Sequence, residues 1–77
     1  MMKKVKNVDI GTLKFIIKEF TLNEKKINEY LYTCKYDKNV TSIDMVKENV
    51  LLEVRQALKK DNNTLIVFRG KEVVGIL

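Results

Sequence analysis

The chain contains no histidine, no proline and no tryptophan, and it has only one cysteine and three glycines. Because Cys34 is alone, a disulfide bond within the chain is excluded, and without histidine a zinc site of the usual kind is excluded as well. The lack of proline and the few glycines are typical of a compact domain without a linker. We therefore expect no metal ligand and no cofactor.

The same absences leave little material for catalysis. General acid–base chemistry needs a positioned group with a tuned pKa, and the acidic residues here are scattered singly along the chain. Cys34 has no histidine to activate it as a nucleophile, and its place among apolar positions favours a small core residue. We expect no catalytic residue.

What the chain does have is length for one domain and an excess of positive charge. Its 77 residues, 45% of them hydrophobic, lie near the lower limit for a self-sufficient core, so we expect a single domain spanning residues 1–77. The net charge of +5 permits nucleic-acid binding but is also typical of a lysine-rich surface.

No apolar run has the length of a signal peptide or a membrane span, and we expect a cytoplasmic protein that does not contact a membrane.

Apolar residues at helical spacing predict two helices before residue 37 and a third after residue 42. The stripe of the first helix consists of Ile10, Leu13, Ile16, Ile17 and Phe20, following a cap at Asn7. Thr21 and Glu24 have the spacing of a capping box and predict the start of the second helix, or a bend in the first. The third helix is expected over residues 43–60, capped by Thr41 or Ser42, with Met45, Leu51 and Leu52 widening its apolar stripe.

Three strands complete the prediction. Lys3–Lys6 predicts a short first strand, and Thr64–Arg69 and Glu72–Leu77 predict a hairpin around the Gly70-Lys71 turn. The run from Leu65 to Phe68 is continuously apolar, which indicates a strand covered on both faces. The expected fold is α+β: a three-stranded antiparallel sheet, made of the N-terminal strand and the C-terminal hairpin, with two to three helices.

The last strand is expected at an edge of this sheet. If Lys3–Lys6 pairs with Thr64–Arg69, the outer side of the last strand has unpaired backbone groups, which attract another strand. We therefore expect a homodimer, or a complex with a partner protein, through this strand. The residues expected to pair are Val73, Val74, Gly75, Ile76 and Leu77.

Three tyrosines in the second predicted helix are candidates for lining a pocket or stacking on bases. They are Tyr30, Tyr32 and Tyr36. Such a group also commonly belongs partly to the core and partly to its rim, so both interpretations stay open.

The order of these elements resembles the N-terminal part of the GNAT N-acetyltransferase superfamily. The resemblance rests on the strand, the helix opened by Asp9, the second helical region and the hairpin TLIVFRGKEVVGIL. The family's acetyl-CoA loop, of pattern Arg/Gln-x-x-Gly-x-Gly/Ala at a helix N-terminus, has no counterpart here, because Gly11, Gly70 and Gly75 are the only glycines. The resemblance thus implies a partial acetyltransferase domain, truncated, a remnant or completed by a partner, that does not catalyse by itself. Whether the chain belongs to an enzyme stays open.

Two other functions fit the sequence. A winged-helix DNA-binding regulator would use residues 43–60 as its recognition helix and Arg69 and Lys71 at the tip of the wing. Acidic residues on that helix disfavour contact with phosphates. An interaction module would instead add its last strand to a partner's sheet.

Overall fold

The structure, a computed structural model, describes residues 8–77. Its elements in chain order are β1 (Ile10–Thr21), β2 (Lys26–Asp37), α1 (Ile43–Leu58), β3 (Asn63–Arg69) and β4 (Glu72–Ile76). The predicted α+β class is confirmed. The predicted number of elements is wrong, because the described residues form one helix and a four-stranded antiparallel sheet, not two to three helices and three strands.

Residues 10–37, predicted as two helices, form the long hairpin of β1 and β2. The stripe that predicted the first helix omits Phe15, which is 0% exposed. Alternate residues of β1 from Gly11 to Glu19 are buried. This period of two, in a segment rich in β-branched and aromatic residues, favours a strand. The same apolar residues also recur at helical spacing, so the sequence of this segment fits both a helix and a strand. Pairing with β2 makes it a strand.

Thr21 caps a hairpin turn and not a helix. The Glu24 amide donates to the carbonyl oxygen of Thr21 at 3.0 Å, and the Lys25 amide donates to Thr21 Oγ1 at 3.2 Å. Glu24 has a φ of 61°, which closes the turn in the left-handed region. The helix start or bend predicted from the capping-box spacing is therefore wrong, because the Thr21 side chain stabilises a turn between two strands.

The sheet order is β2-β1-β3-β4, and each neighbouring pair is antiparallel. β2 and β3 are therefore parallel to each other with β1 between them, and α1 makes the crossover that such a connection requires. β3 pairs only with Ile16–Thr21 of β1, whereas β2 pairs with β1 from Ile10 onward. The first half of the β1–β2 hairpin thus extends beyond β3.

α1 confirms the third predicted helix. Ser42 is its N-cap, and the Ser42 hydroxyl accepts from the Met45 amide at 3.2 Å. The helix packs on the sheet through Val46, Val50 and Val54. Of the three residues predicted to widen its apolar stripe, Leu51 packs against the core, whereas Met45 and Leu52 are 51% and 58% exposed, so the prediction is wrong for these two.

The core lies between α1 and one face of the sheet. Its buried residues are Leu13, Phe15, Ile17, Val46, Val50, Val54, Leu65 and Val67. Burial of each large side chain contributes about 1.5–3 kcal/mol. Phe15 also makes an edge-to-face contact with Tyr32 of β2, with ring centroids 6.4 Å apart.

The predicted C-terminal hairpin is confirmed as β3 and β4. Gly70 has a φ of 60° in the turn, a conformation that favours glycine. Gly75 lies under α1, and a Cβ there would come within 2.7 Å of a Leu51 methyl carbon.

The predicted strand Lys3–Lys6 lies outside the described residues. Among the described strands, β3 has β1 on one side and β4 on the other.

Candidate binding surface

The face of the sheet that points away from α1, called the open face below, is the largest unusual surface. The strand register sets its side chains next to one another across all four strands: Ile16 pairs with both Leu31 and Phe68, and Phe68 pairs with Val73. The apolar side chains on this face are Ile16, Phe20, Leu31, Ile66, Phe68, Val73 and Ile76. Leu31 is 72% exposed. No element formed by residues 8–77 covers this face, since the single helix lies on the other one.

The continuous apolar run in β3 is explained by the two faces of the sheet. Leu65 and Val67 are each 0% exposed beneath α1, whereas Ile66 and Phe68 point to the open face and are only half-buried. A strand that is apolar on both sides is normally covered on both sides. Contiguous exposed apolar surface of this kind marks a site of interaction. The open face is therefore the candidate binding surface.

Lysines interrupt and border the apolar surface. On this face β1 and β2 present Lys14, Lys18, Lys26 and Lys35, against two acidic residues, Glu29 and Asp37. Lys26 forms an exposed ion pair with Glu29 at 3.3 Å. The other three lysines form no ion pair within the described part of the chain. The surface is apolar in the middle and positive overall.

Lys18 is the most informative of these lysines because it lies near the middle of the apolar surface. It pairs with Ile66 on one side and Glu29 on the other, and its Nζ is 5.1 Å from the centre of the Phe68 ring. Burying an ammonium group without an anion is very unfavourable. Glu29 is the one carboxylate opposite Lys18, so a ligand that covers this face is favoured when it supplies further negative charge close to Phe68.

A second polar cluster lies on the helix side of the sheet, at Glu19. This carboxylate is only 5% exposed, and it accepts hydrogen bonds from Asn28 at 3.0 Å, Tyr30 at 3.0 Å and Asn63 at 2.5 Å. These bonds, that of Asn28 above all, lower the pKa of Glu19 from its ordinary value, against the opposing effect of burial. A cleft of about 400 Å³ lies beside it.

The Glu19 cluster has a structural role. Asn63, also buried, donates to the Leu58 carbonyl at 3.0 Å and accepts from the Lys60 amide at 2.7 Å. The cluster thereby ties the end of α1 and the start of β3 to the β1–β2 hairpin. A carboxylate that hydrogen-bond donors hold in its ionised form is a poor proton donor.

The structure brings together two of the three candidate tyrosines. Tyr30 and Tyr32 line a groove of about 330 Å³ between β2 and α1. The Tyr32 hydroxyl donates to the Glu53 carboxylate, and this bond raises the pKa of Tyr32 to about 12. Tyr36 lines a separate cleft near Ser42 and Ile43. All three lie on the helix side of the sheet, so none of them belongs to the open face.

The residues expected to pair at an edge do lie in an edge strand. β4 is the last strand on one side of the sheet, and Leu77 extends it by exchanging backbone hydrogen bonds of 2.8 and 3.1 Å with Leu65. A register shift between Val67 and Phe68 interrupts this ladder. The other edge is β2, whose twelve residues were overlooked as an edge because they were predicted to be helical.

Sequence reasoning also missed the open face. Its signal was present in β1, where Lys14, Ile16, Lys18 and Phe20 alternate with the buried residues. The alternation has meaning only for a strand, and the segment was predicted as a helix.

No protein-family model, no curated protein and no solved structure matches this chain. Among the described residues no metal-binding cluster of His, Cys, Asp or Glu is formed. None of the helices in residues 8–77 is long and apolar enough to span a bilayer. Fold and surface together define a two-layer α+β domain with one uncovered, positively charged sheet face.

Proposed function

We propose that the chain is a binding module whose open face binds single-stranded nucleic acid. The observation that supports this most is the position of Phe20 and Phe68 on the two central strands, with Lys18, which forms no ion pair with a described residue, between them. Proteins that bind single strands combine aromatic side chains, on which bases stack, with positive charge that follows the phosphates. The net charge of +5 agrees in sign.

The spacing of the two rings suits separate bases. Phe68 lies opposite Ile16, four positions from Phe20 along β1, which corresponds to about 14 Å along the strand. Beside Phe20, a cleft of about 440 Å³ is lined by Leu22, Glu24, Thr64 and Ile66. Lys18 lies between the two rings and supplies a cation where a connecting phosphate would pass. A base stacked at each ring would leave the backbone beside this ammonium group.

Single strands fit this surface better than a duplex does. In a duplex the faces of the bases are stacked on one another, and they become available to aromatic side chains only when the strand is unpaired. Duplex readers place a helix or a ribbon in a groove. The winged-helix interpretation needs three helices before the hairpin, whereas residues 8–77 provide only α1.

A second copy is a poor partner for the open face. Stacking two open faces would bury two Lys18 side chains and bring the unpaired lysines Lys14 and Lys35 of both copies together. Like charges at an interface cost several kcal/mol, and buried ammonium groups add to that cost. A nucleic acid supplies the missing negative charge and the flat apolar surface together.

The test is a titration of fluorescently labelled single-stranded DNA and RNA, followed by anisotropy at several salt concentrations. The proposal predicts binding that weakens linearly on a log–log plot of affinity against salt. The double variant K14Q/K35Q should bind more weakly and with a smaller slope. K25Q/K71Q, which removes two lysines from the hairpin turns, is the matched control. The absence of binding at low salt, or an equal loss in both variants, would contradict the proposal.

Kinship with the GNAT superfamily is a separate proposal that now rests on the hairpin alone. The sequence TLIVFRGKEVVGIL forms the expected strands β3 and β4, while residues 10–37 are strands where the resemblance implies helices. Calorimetry with acetyl-CoA tests this relationship. A partial domain predicts no tight binding, and tight binding with turnover would show a complete enzyme.

A further inference from the structure

We infer that β2 pairs with β2 of a second copy of this chain, so that two four-stranded sheets become one sheet of eight strands. This inference does not depend on the proposed function, because it is argued from the backbone edge of β2 and is tested without nucleic acid, although Glu29 and Lys35 also lie on the open face. It also moves the expected self-association from β4, where the sequence had placed it, to the opposite edge.

The two edges differ in how well they can accept another strand. β4 has five residues, and a bulge lies in its ladder with β3; short length and bulges are the devices by which proteins protect an edge. β2 has twelve residues, and its register with β1 is regular from Ile10–Asp37 to Glu19–Asn28. The chain has no proline that would block a further ladder. β2 is the long, regular edge.

The charges on β2 select one register for an antiparallel pair of identical strands. Placing Tyr32 on the two-fold axis sets Glu29 opposite Lys35 of the second copy, and symmetry makes this pair twice. Opposite side chains then have Cβ atoms about 4.5–5.5 Å apart, close enough for an ion pair. Glu29 has only an exposed contact with Lys26 at 3.3 Å, and Lys35 forms no ion pair with any described residue.

The neighbouring registers are less favourable. Moving the axis to Leu31 leaves Glu29 opposite Thr33, which removes both ion pairs. Moving the axis to Thr33 sets Glu29 opposite Asp37, so that like charges meet twice. Only shifts of this kind keep the same faces together, because side chains alternate along a strand.

The preferred register also pairs apolar and aromatic groups on the helix side. Tyr32 meets its own copy on the axis, and Tyr30 lies opposite Cys34, both of which are only partly buried in one chain. The groove that Tyr30 and Tyr32 line with α1 lies beside this strand. A second copy thus adds side-chain contacts to the backbone hydrogen bonds of the new ladder. The partner that best fits this edge is the chain itself.

The experiment measures self-association of the full chain by sedimentation equilibrium, with three charge variants. The wild-type chain is expected to be dimeric at micromolar concentrations. E29K and K35E should each weaken dimerisation about tenfold or more, because each sets like charges opposite each other twice. The double variant E29K/K35E restores opposite charges and should regain the wild-type dissociation constant. All substituted positions are exposed strand positions, and circular dichroism checks that each variant is folded.

Two results would overturn the inference. One is a wild-type chain that stays monomeric throughout the concentration range. The other is a dimer whose dissociation constant is unchanged in E29K and K35E, which would place the interface away from β2. If V73K then abolished that dimer, its interface would lie at β4 or on the open face. Neither result bears on nucleic-acid binding, which is measured separately with labelled oligonucleotides.

Discussion

At the scale of single residues, Lys18 sets what the open face can bind. It is a charged side chain surrounded by Ile66 and Phe68, with its ammonium group above the Phe68 ring. In water this arrangement is stable, since the ammonium keeps its solvation and a cation–π contact adds about 0.5–1 kcal/mol. Against a dry apolar partner it is unfavourable.

Replacing Lys18 with methionine should therefore change two properties in opposite directions. Nucleic-acid affinity should fall, and its salt dependence should decrease by about one phosphate contact. Non-specific self-association should rise, because the open face becomes continuously apolar. Anisotropy and light scattering measure the two effects. Lys14→Met, at the border of the face, is the control for self-association and should raise it less; an equal rise of self-association in both variants would contradict a central role for Lys18.

The protonation of Glu19 affects how the stability of the fold changes at acidic pH. Because hydrogen bonds from Asn28, Asn63 and Tyr30 lower the pKa of Glu19 in the folded chain, its ionised form stabilises the fold at neutral pH. That contribution is present above the ordinary pKa of 4.5 and is lost as the pH falls through the lowered folded value. Acid thus weakens the tie between α1, β3 and the first hairpin.

Glu19→Gln should destabilise the chain at pH 7 and should flatten the loss of stability between neutral pH and strongly acidic pH. Urea denaturation across this range measures both effects. Glu72→Gln is the matched control: the pKa of Glu72 is also lowered, chiefly by Lys47, but in an exposed ion pair of small value. If the free energy of unfolding of Glu19→Gln changes with pH in parallel with that of the wild type, Glu19 does not hold α1 and β3 to the first hairpin.

At the scale of elements, the two faces of the sheet have separate roles, and two phenylalanines test this. Phe15→Ala removes a fully buried ring and should cost about 3–5 kcal/mol of unfolding free energy. Phe68→Ala removes a half-buried ring from the open face, should cost less stability, and should weaken oligonucleotide binding by about 1–3 kcal/mol. Chemical denaturation and anisotropy measure the two quantities. A folded Phe68→Ala that binds as tightly as wild type would contradict the role of the open face.

The packing of α1 on β4 depends on Gly75. An added methyl group would meet the side chain of Leu51 at 2.7 and 2.9 Å, and overpacking of this kind costs about 1 kcal/mol or more. We expect Gly75→Ala to lower the free energy of unfolding by about 1 kcal/mol, toward the lower end because a leucine side chain can move. In the background of Leu51→Ala the same change should cost less, which a double-mutant cycle measures. Additive effects would mean that Leu51 is not the contact.

At the scale of the whole molecule, the sequence predicted the second half of the fold better than the first. Ser42, the valine stripe of α1 and the Gly70 turn are local signals that each allow one structure. Residues 10–37 fit two periods, and the choice between them depends on pairing between distant residues, which no local pattern contains. The open face was missed, because the alternation of residues in β1 indicates a surface only once β1 is known to be a strand.

The central claim is that the open face of the sheet binds single-stranded nucleic acid, and isoleucine methyl groups test it most directly. Ile16, Ile66 and Ile76 lie on the open face, whereas Ile17 is buried beneath α1. In a methyl NMR titration with a short single-stranded oligonucleotide, the signals of Ile16 and Ile66 should shift progressively to saturation while that of Ile17 stays nearly unchanged. Shifts confined to Ile17 and Ile43, or no shifts at low salt, would contradict the account.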